Sequence, residues 1–338
     1  MIKKSGACIA AIFATAVLSL SACGGSSSSS SNSSTVTYSL VSVDNPGNAS
    51  DPATDFGSVA YTYQIGKYDV TIGQYTVFLN AVAKTDTYEL YNPNMGTDLN
   101  SAGITRTGSP GNYSYNVMIN SGSSANRPIT YVTWLDAARF ANWMANGQPT
   151  GAQNSTTTEN GAYNLNGAMD GNAVVKNSIN PNTGKVPSYY IPTYNEWYKA
   201  AFYSPQKNNG VGGYYMYATE SDTAPGNTIG SAPNQANYFL STLFSVTQSP
   251  DYLYAAQNYL TDVGAFSGSA SYYGTFDQDG NVYQWNDLDG TPVPYRGLAG
   301  GYWFSASSTL QPLTYNTNAI NATDNGTGFR LAAPAVIN

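Results

Sequence analysis

A chain of 338 residues is long enough to bury a large core, yet only 10% of it is charged, Tyr occurs 29 times, and the formal net charge is −7. No basic stripe is present to neutralise phosphates, which excludes a nucleic-acid partner. His is absent, removing at once the commonest general base and the commonest metal ligand.

The chain opens on MIKKSGACIAAIFATAVLSLSAC, with Lys3 and Lys4, an apolar run from Ala7 to Leu20 and small residues before Cys23. This is the layout of a secretory signal, too short and wrongly flanked to span a bilayer. Leu20-Ser21-Ala22-Cys23 resembles a bacterial lipobox, which implies a signal peptide over 1–22 and acylation of Cys23. The competing reading is a plain signal peptide with an incidental cysteine. Several acyl chains at about 0.8 kcal/mol per buried CH₂ would make the anchor effectively permanent. Gly24 rather than Asp follows the cysteine, which favours an outer-membrane address outside the cytoplasm. Removing residues 1–22 leaves 11 basic against 20 acidic residues, a balance of −9.

The chain has two cysteines. Cys8 leaves with the signal and Cys23 carries lipid, so the remaining domain has no thiol for a disulfide or redox switch. Residues 23–35 are a Ser-rich linker, whose stretch from Gly24 to Ser34 has a coil reach of roughly 20 Å. One folded unit over 36–335 is the simplest reading of the remainder.

Three segments carry a helix-start signature in which Thr precedes Gln, Asp or Glu by three positions: Thr71/Gln74, Thr133/Asp136 and Thr193/Glu196. Apolar residues follow at helical spacing after each, as in Ile72, Tyr75, Phe78, Leu79 and Val82. The alternating run from Val59 to Ile65 reads as a strand, and Gly, Asn, Ser and Pro dominate the rest. The expectation is an α+β domain with few regular elements and long loops.

Six fragments in order, YQIGKYDVTIGQYTVFLNAV (63–82), RPITYVTWLDAARFANWM (127–144), YYIPTYNEWYKAAFY (189–203), YGTFDQDGNVYQW (273–285), RGLAGGYWF (296–304) and GFRLA (328–332), resemble the sulfatase-modifying factor, or formylglycine-generating enzyme, family. The resemblance implies a C-type-lectin-like α+β fold. It also implies copper chemistry on two cysteines, which would fall on Ser305 and Leu310. A hydroxyl and an isobutyl group cannot bind Cu(I) or exchange with a thiol, so no copper is expected. A related branch uses His-ligated iron, which this composition excludes. Ser305, Ser307 and Ser308 lack a neighbouring base to act as nucleophiles, and the capping box already accounts for Glu196.

DQDGN places Asp277, Asp279 and Asn281 at alternate positions around Gly280, a spacing of hard oxygens that suits Ca²⁺; a tight Asp-Gly turn with solvated carboxylates is the alternative. The resemblance implies a structural calcium held by the Asp277 side chain and the carbonyls of Gly280 and Val282. A companion site would fall on Asn237, Tyr238, Gly264 and Phe266.

Between GGYW and GFRLA the chain is rich in Tyr, Ser, Asn and Thr, the residues of adaptable binding surfaces. Tyr302, Trp303, Phe304, Ser305, Ser307, Thr314, Tyr315, Asn316 and Asn318 are the candidate ligand contacts. The expected function is a membrane-anchored lipoprotein that binds a protein, peptide or glycan without catalysis. The alternatives are a maturation enzyme or hydrolase acting by another route, a variable surface binder of a diversity-generating retroelement, and a structural subunit of an envelope assembly.

Overall fold

A computed structural model describes residues 35–170, 174–249, 253–314 and 316–335. The signal peptide, Cys23, nearly all of the linker, and Tyr315 lie outside these residues. Among the described residues no helix is long and apolar enough to cross a membrane.

The main strands are β1 (Leu40–Val43), β2 (Tyr63–Gly66), β3 (Ile104–Thr107), β4 (Ser114–Val117), β5 (Tyr283–Asn286), β6 (Tyr295–Ala299), β7 (Asn316–Ala319), β8 (Thr327–Phe329) and β9 (Ala332–Pro334). The main helices are α1 (Ile72–Val82), α2 (Trp134–Ala145) and α3 (Tyr194–Phe202). One antiparallel sheet has the order β1-β2-β9, so the last strand closes on the first hairpin. A second has the order β7-β6-β5-β8, with β8 parallel to β5 and the other pairs antiparallel. Strands β3 and β4 form a separate hairpin, and much of what connects these pieces is loop, as expected of an α+β domain.

All three helices begin where the capping signatures place them, each with the reciprocal Thr and N3 side-chain bonds formed. The strand expected from Val59 forms only from Tyr63. Residues before it are held by a loop instead: Val59 accepts from Gly47 N–H at 2.8 Å, and Val59 N–H donates to Asn48 Oδ1 at 3.3 Å.

The core is aromatic. All five tryptophans are buried, and Phe78, Phe140, Trp143 and Phe329 pack ring on ring with centroids 5.2–5.6 Å apart. Such pairs add about 1 kcal/mol each beyond area burial. Inside this core Arg330 Nη2 pairs with Asp69 at 3.0 Å and also donates to the Phe276 carbonyl, while Nε reaches Gln284 Oε1 and Nη1 the Gly66 carbonyl. One guanidinium therefore ties β2, the Asp277 loop and β5 to the C-terminal strands.

Candidate functional site

The loop after β6 starts with Gly300 and Gly301, at φ of +94° and +71°. A Cβ at Gly300 would meet the Gln278 carbonyl at 2.6 Å, so glycine alone lets the loop approach the Asp277–Asn281 turn. Ser305 follows, 5% exposed, with its Oγ accepting Tyr302 N–H at 3.0 Å and its carbonyl accepting Phe239 N–H at 3.0 Å. After a 3₁₀ turn over Ser307–Leu310, Leu310 is 1% exposed against Tyr217, Ala236 and Tyr238. Both positions that the resemblance assigns to cysteines thus serve packing.

The ligand surface expected over 302–327 is corrected at two of its named contacts. Trp303 is 2% exposed, stacked between Tyr259 and Phe304 at centroid distances of 5.0 and 5.4 Å, with Nε1 donating to the Asn325 carbonyl. It supports the surface from beneath, as does the buried Ser305. Residue type alone carries no cue to this, because Trp and Ser are equally at home on a paratope and under one.

Tyr302 is half-buried on Tyr283 at 5.5 Å, Phe304 is 40% exposed, and Ser307 and Thr314 are partly open. Thr314 Oγ1 donates to the Ser308 carbonyl at 2.8 Å. Asn316 and Asn318 stand exposed on the edge strand β7, opposite Leu298 and Arg296.

The expected calcium residues converge. Asn237 forms a parallel bridge with Gly280, and its carbonyl accepts Asn281 N–H at 2.8 Å. Gly264 N–H donates to Asp277 Oδ2 at 2.7 Å, bringing the companion loop onto the first. Asp277 and Asp279 line, with Phe266, a cavity of about 10 Å³, the size of one water. Burial pushes the Asp277 carboxyl up to about 6, opposed by the Gly264 hydrogen bond and by Arg330.

Burial also raises Asp279 well above its ordinary range. Its Oδ2 accepts Ala218 N–H at 2.8 Å and the Thr219 N–H also favours the charged carboxyl, while Oδ1 has no partner within hydrogen-bond distance among the described residues. An orphaned carboxylate oxygen at a water-sized void fits a single hard cation. Among the described residues no three His, Cys, Asp or Glu side chains cluster as a metal site, so such an ion would lean on carbonyls. Val282 donates its N–H to the Gly280 carbonyl at 2.8 Å, and the Tyr238 hydroxyl is turned to the Pro225 carbonyl.

Sequence reasoning missed a cavity of about 700 Å³ between the 85–93 loop, the β3/β4 hairpin, the start of α2 and Asn321 with Thr323. Its wall includes Tyr88, Tyr91, Tyr113 and Tyr131. Tyr131 has φ of +60°, an outlier for a bulky residue, and is held by its hydroxyl on Asp98 and its N–H on the Asp324 carbonyl. Asn325 Nδ2 joins the same Asp98 oxygen at 3.2 Å, so groove and candidate surface share a border. The Tyr-rich TDTYELYN (85–92) was the available signal.

Comparison with known proteins decides the family, for residues 28–335 match the sulfatase-modifying factor enzyme 1-like domain. The chain belongs to that family. Similar solved structures include CarF (19% identity, TM-score 0.49, covering 88% of this chain and 99% of that one). Treponema denticola variable protein 1 (16%, 0.45, 88% and 95%) and PvdO from Pseudomonas aeruginosa (15%, 0.43, 88% and 94%) are also similar. Among curated proteins the comparison finds no match.

Proposed function

We propose that this member of the sulfatase-modifying factor family is a lipid-anchored extracytoplasmic binding protein without the family's oxidase activity. The observation that carries the reading is that nearly the whole chain is the family domain, while Ser305 and Leu310 stand buried at the expected cysteine positions and no cysteine follows Cys23. Without a thiolate the domain has no soft ligand for Cu(I) and no nucleophile for a substrate cysteine. What remains is a face bearing Tyr302, Phe304, Asn316 and Asn318, bordered by the groove, which suits recognition. The ligand classes it fits are protein, peptide and glycan.

Incubation of the purified protein with a cysteine-bearing sulfatase peptide and copper should yield no formylglycine by mass spectrometry; product above a protein-free control would overturn the reading. The lipobox at Cys23 supports a membrane partner, in an outer membrane, and acyl labelling lost in Cys23→Ser tests it. A structural Ca²⁺ at Asp277 and its carbonyl neighbours belongs to the same proposal, supported by the orphaned Asp279 oxygen.

A further inference from the structure

We infer that the groove beside α2 binds a neutral oligosaccharide. The inference rests on the binding-protein reading and names the ligand class, since Asn321 and Thr323 of the same segment line the cavity. At about 700 Å³ it falls in the range of small-molecule sites, and its chemistry narrows the occupant by elimination.

Anions are disfavoured first. The lining holds Asp86, Glu89 and Asp136 against two cations, Arg106 and Arg139. Neither cation is uncommitted. Arg106 pairs with Asp86 at 3.3 Å, while Arg139 makes a bidentate pair with Glu159 at 2.8 and 3.1 Å and donates to the Ala168 carbonyl. A phosphate, sulfate or carboxylate entering the groove would meet surplus negative charge.

Cations would be drawn by that surplus charge, but they gain little at the aromatic wall, because the protein's own guanidinium groups already occupy three of its four tyrosine rings. Arg106 lies between Tyr91 and Tyr113, 4.6 and 4.4 Å from their centroids, and Arg139 lies 4.4 Å from that of Tyr88. A ligand ammonium would have to displace these groups to gain a cation–π contact at any of those three rings.

What the groove still offers is a mixed set of donors and acceptors with some apolar wall. Glu89 takes no side-chain hydrogen bond among the described residues and is exposed, as are Asn321 and Thr323. Asp136 has one oxygen committed to Thr133 N–H. Planar carboxylate and amide groups can each bridge two adjacent hydroxyls, while the exposed rings of Pro93 and Pro110 offer apolar surface to the C–H side of a sugar ring. The stacked arginines hold the wall in place before binding, which lowers the ordering cost.

The test is calorimetric titration of the purified full chain with maltohexaose, cellohexaose and chitohexaose, with a heparin hexasaccharide and hexalysine as charged arms. Saturable binding of at least one neutral sugar is expected, weaker by at least about tenfold in Glu89→Ala/Asn321→Ala, two exposed positions whose change leaves the thermal midpoint in place. No binding of any neutral sugar, tighter binding of a charged probe, or an unaffected double variant would each overturn the inference. The formylglycine assay reads the other question: product there, with groove-dependent sugar binding here, removes the non-catalytic reading and keeps this one.

Discussion

Asp136 is both a helix cap and part of the groove wall. Burial pushes its carboxyl up from 3.8 to about 6, partly offset by hydrogen bonds from Thr133 and by Arg139. The folded protein therefore holds a proton on Asp136 that the unfolded chain releases. Stability from this residue is lowest above pH 6, grows as pH falls through 6, and levels off below 3.8. A shift of about two pK units corresponds to an upper bound of about 3 kcal/mol. Asp136→Asn keeps an acceptor for the Thr133 N–H but cannot titrate. Thermal melts from pH 7 to pH 4 should show a rise in the wild-type midpoint relative to that variant; parallel profiles would show that Asp136 titrates normally.

At the scale of elements, α3 shows one side chain serving helix and sheet together. Glu196 takes the Thr193 N–H and hydroxyl on one oxygen, at 2.8 and 3.0 Å, and the hydroxyls of Tyr190 and Tyr61 on the other, at 2.7 and 3.2 Å. Thr193→Ala removes a cap and should cost about 1 kcal/mol. Glu196→Ala also leaves the buried Tyr190 hydroxyl unpaired, so urea unfolding should give about 3 kcal/mol; equal costs would show that the phenols find other partners. The cap was legible because its signal is local, spanning four residues. So were the apolar stripes of α1 and α2, whose period is that of the helix. The strand from Val59 misled because alternation says which residues face alike, and the Asn48 loop decided which backbone groups were paired. Beyond the Tyr-rich 85–92 segment the groove was not legible, for a related reason: Tyr88, Arg106, Tyr131 and Asn321 meet only through tertiary folding, and no spacing joins them.

For the whole molecule, the loops near Asn237, Gly264 and Asp277 lie far apart in helix-poor chain and are joined by few backbone bonds, with Arg330 on one side of the junction. A divalent ion at Asp277 would cross-link them in the native state alone, so it should act on global stability. With free Ca²⁺ at about 100 times its dissociation constant the gain is about 2.7 kcal/mol, or several degrees in thermal midpoint. Such an ion would compete with the proton that burial favours on Asp277, whose carboxyl is pushed up to about 6. Calcium stabilisation should therefore be larger at pH 8 than at pH 5. Melting in calcium and in chelator at both pH values, for the wild type and for Asp277→Asn, measures this. The variant keeps an acceptor for Gly264 N–H and loses the charge, so its two curves should coincide. Coincident curves for the wild type at pH 8 would mean that the orphaned oxygen of Asp279 is met by a proton instead, which its raised titration range also permits.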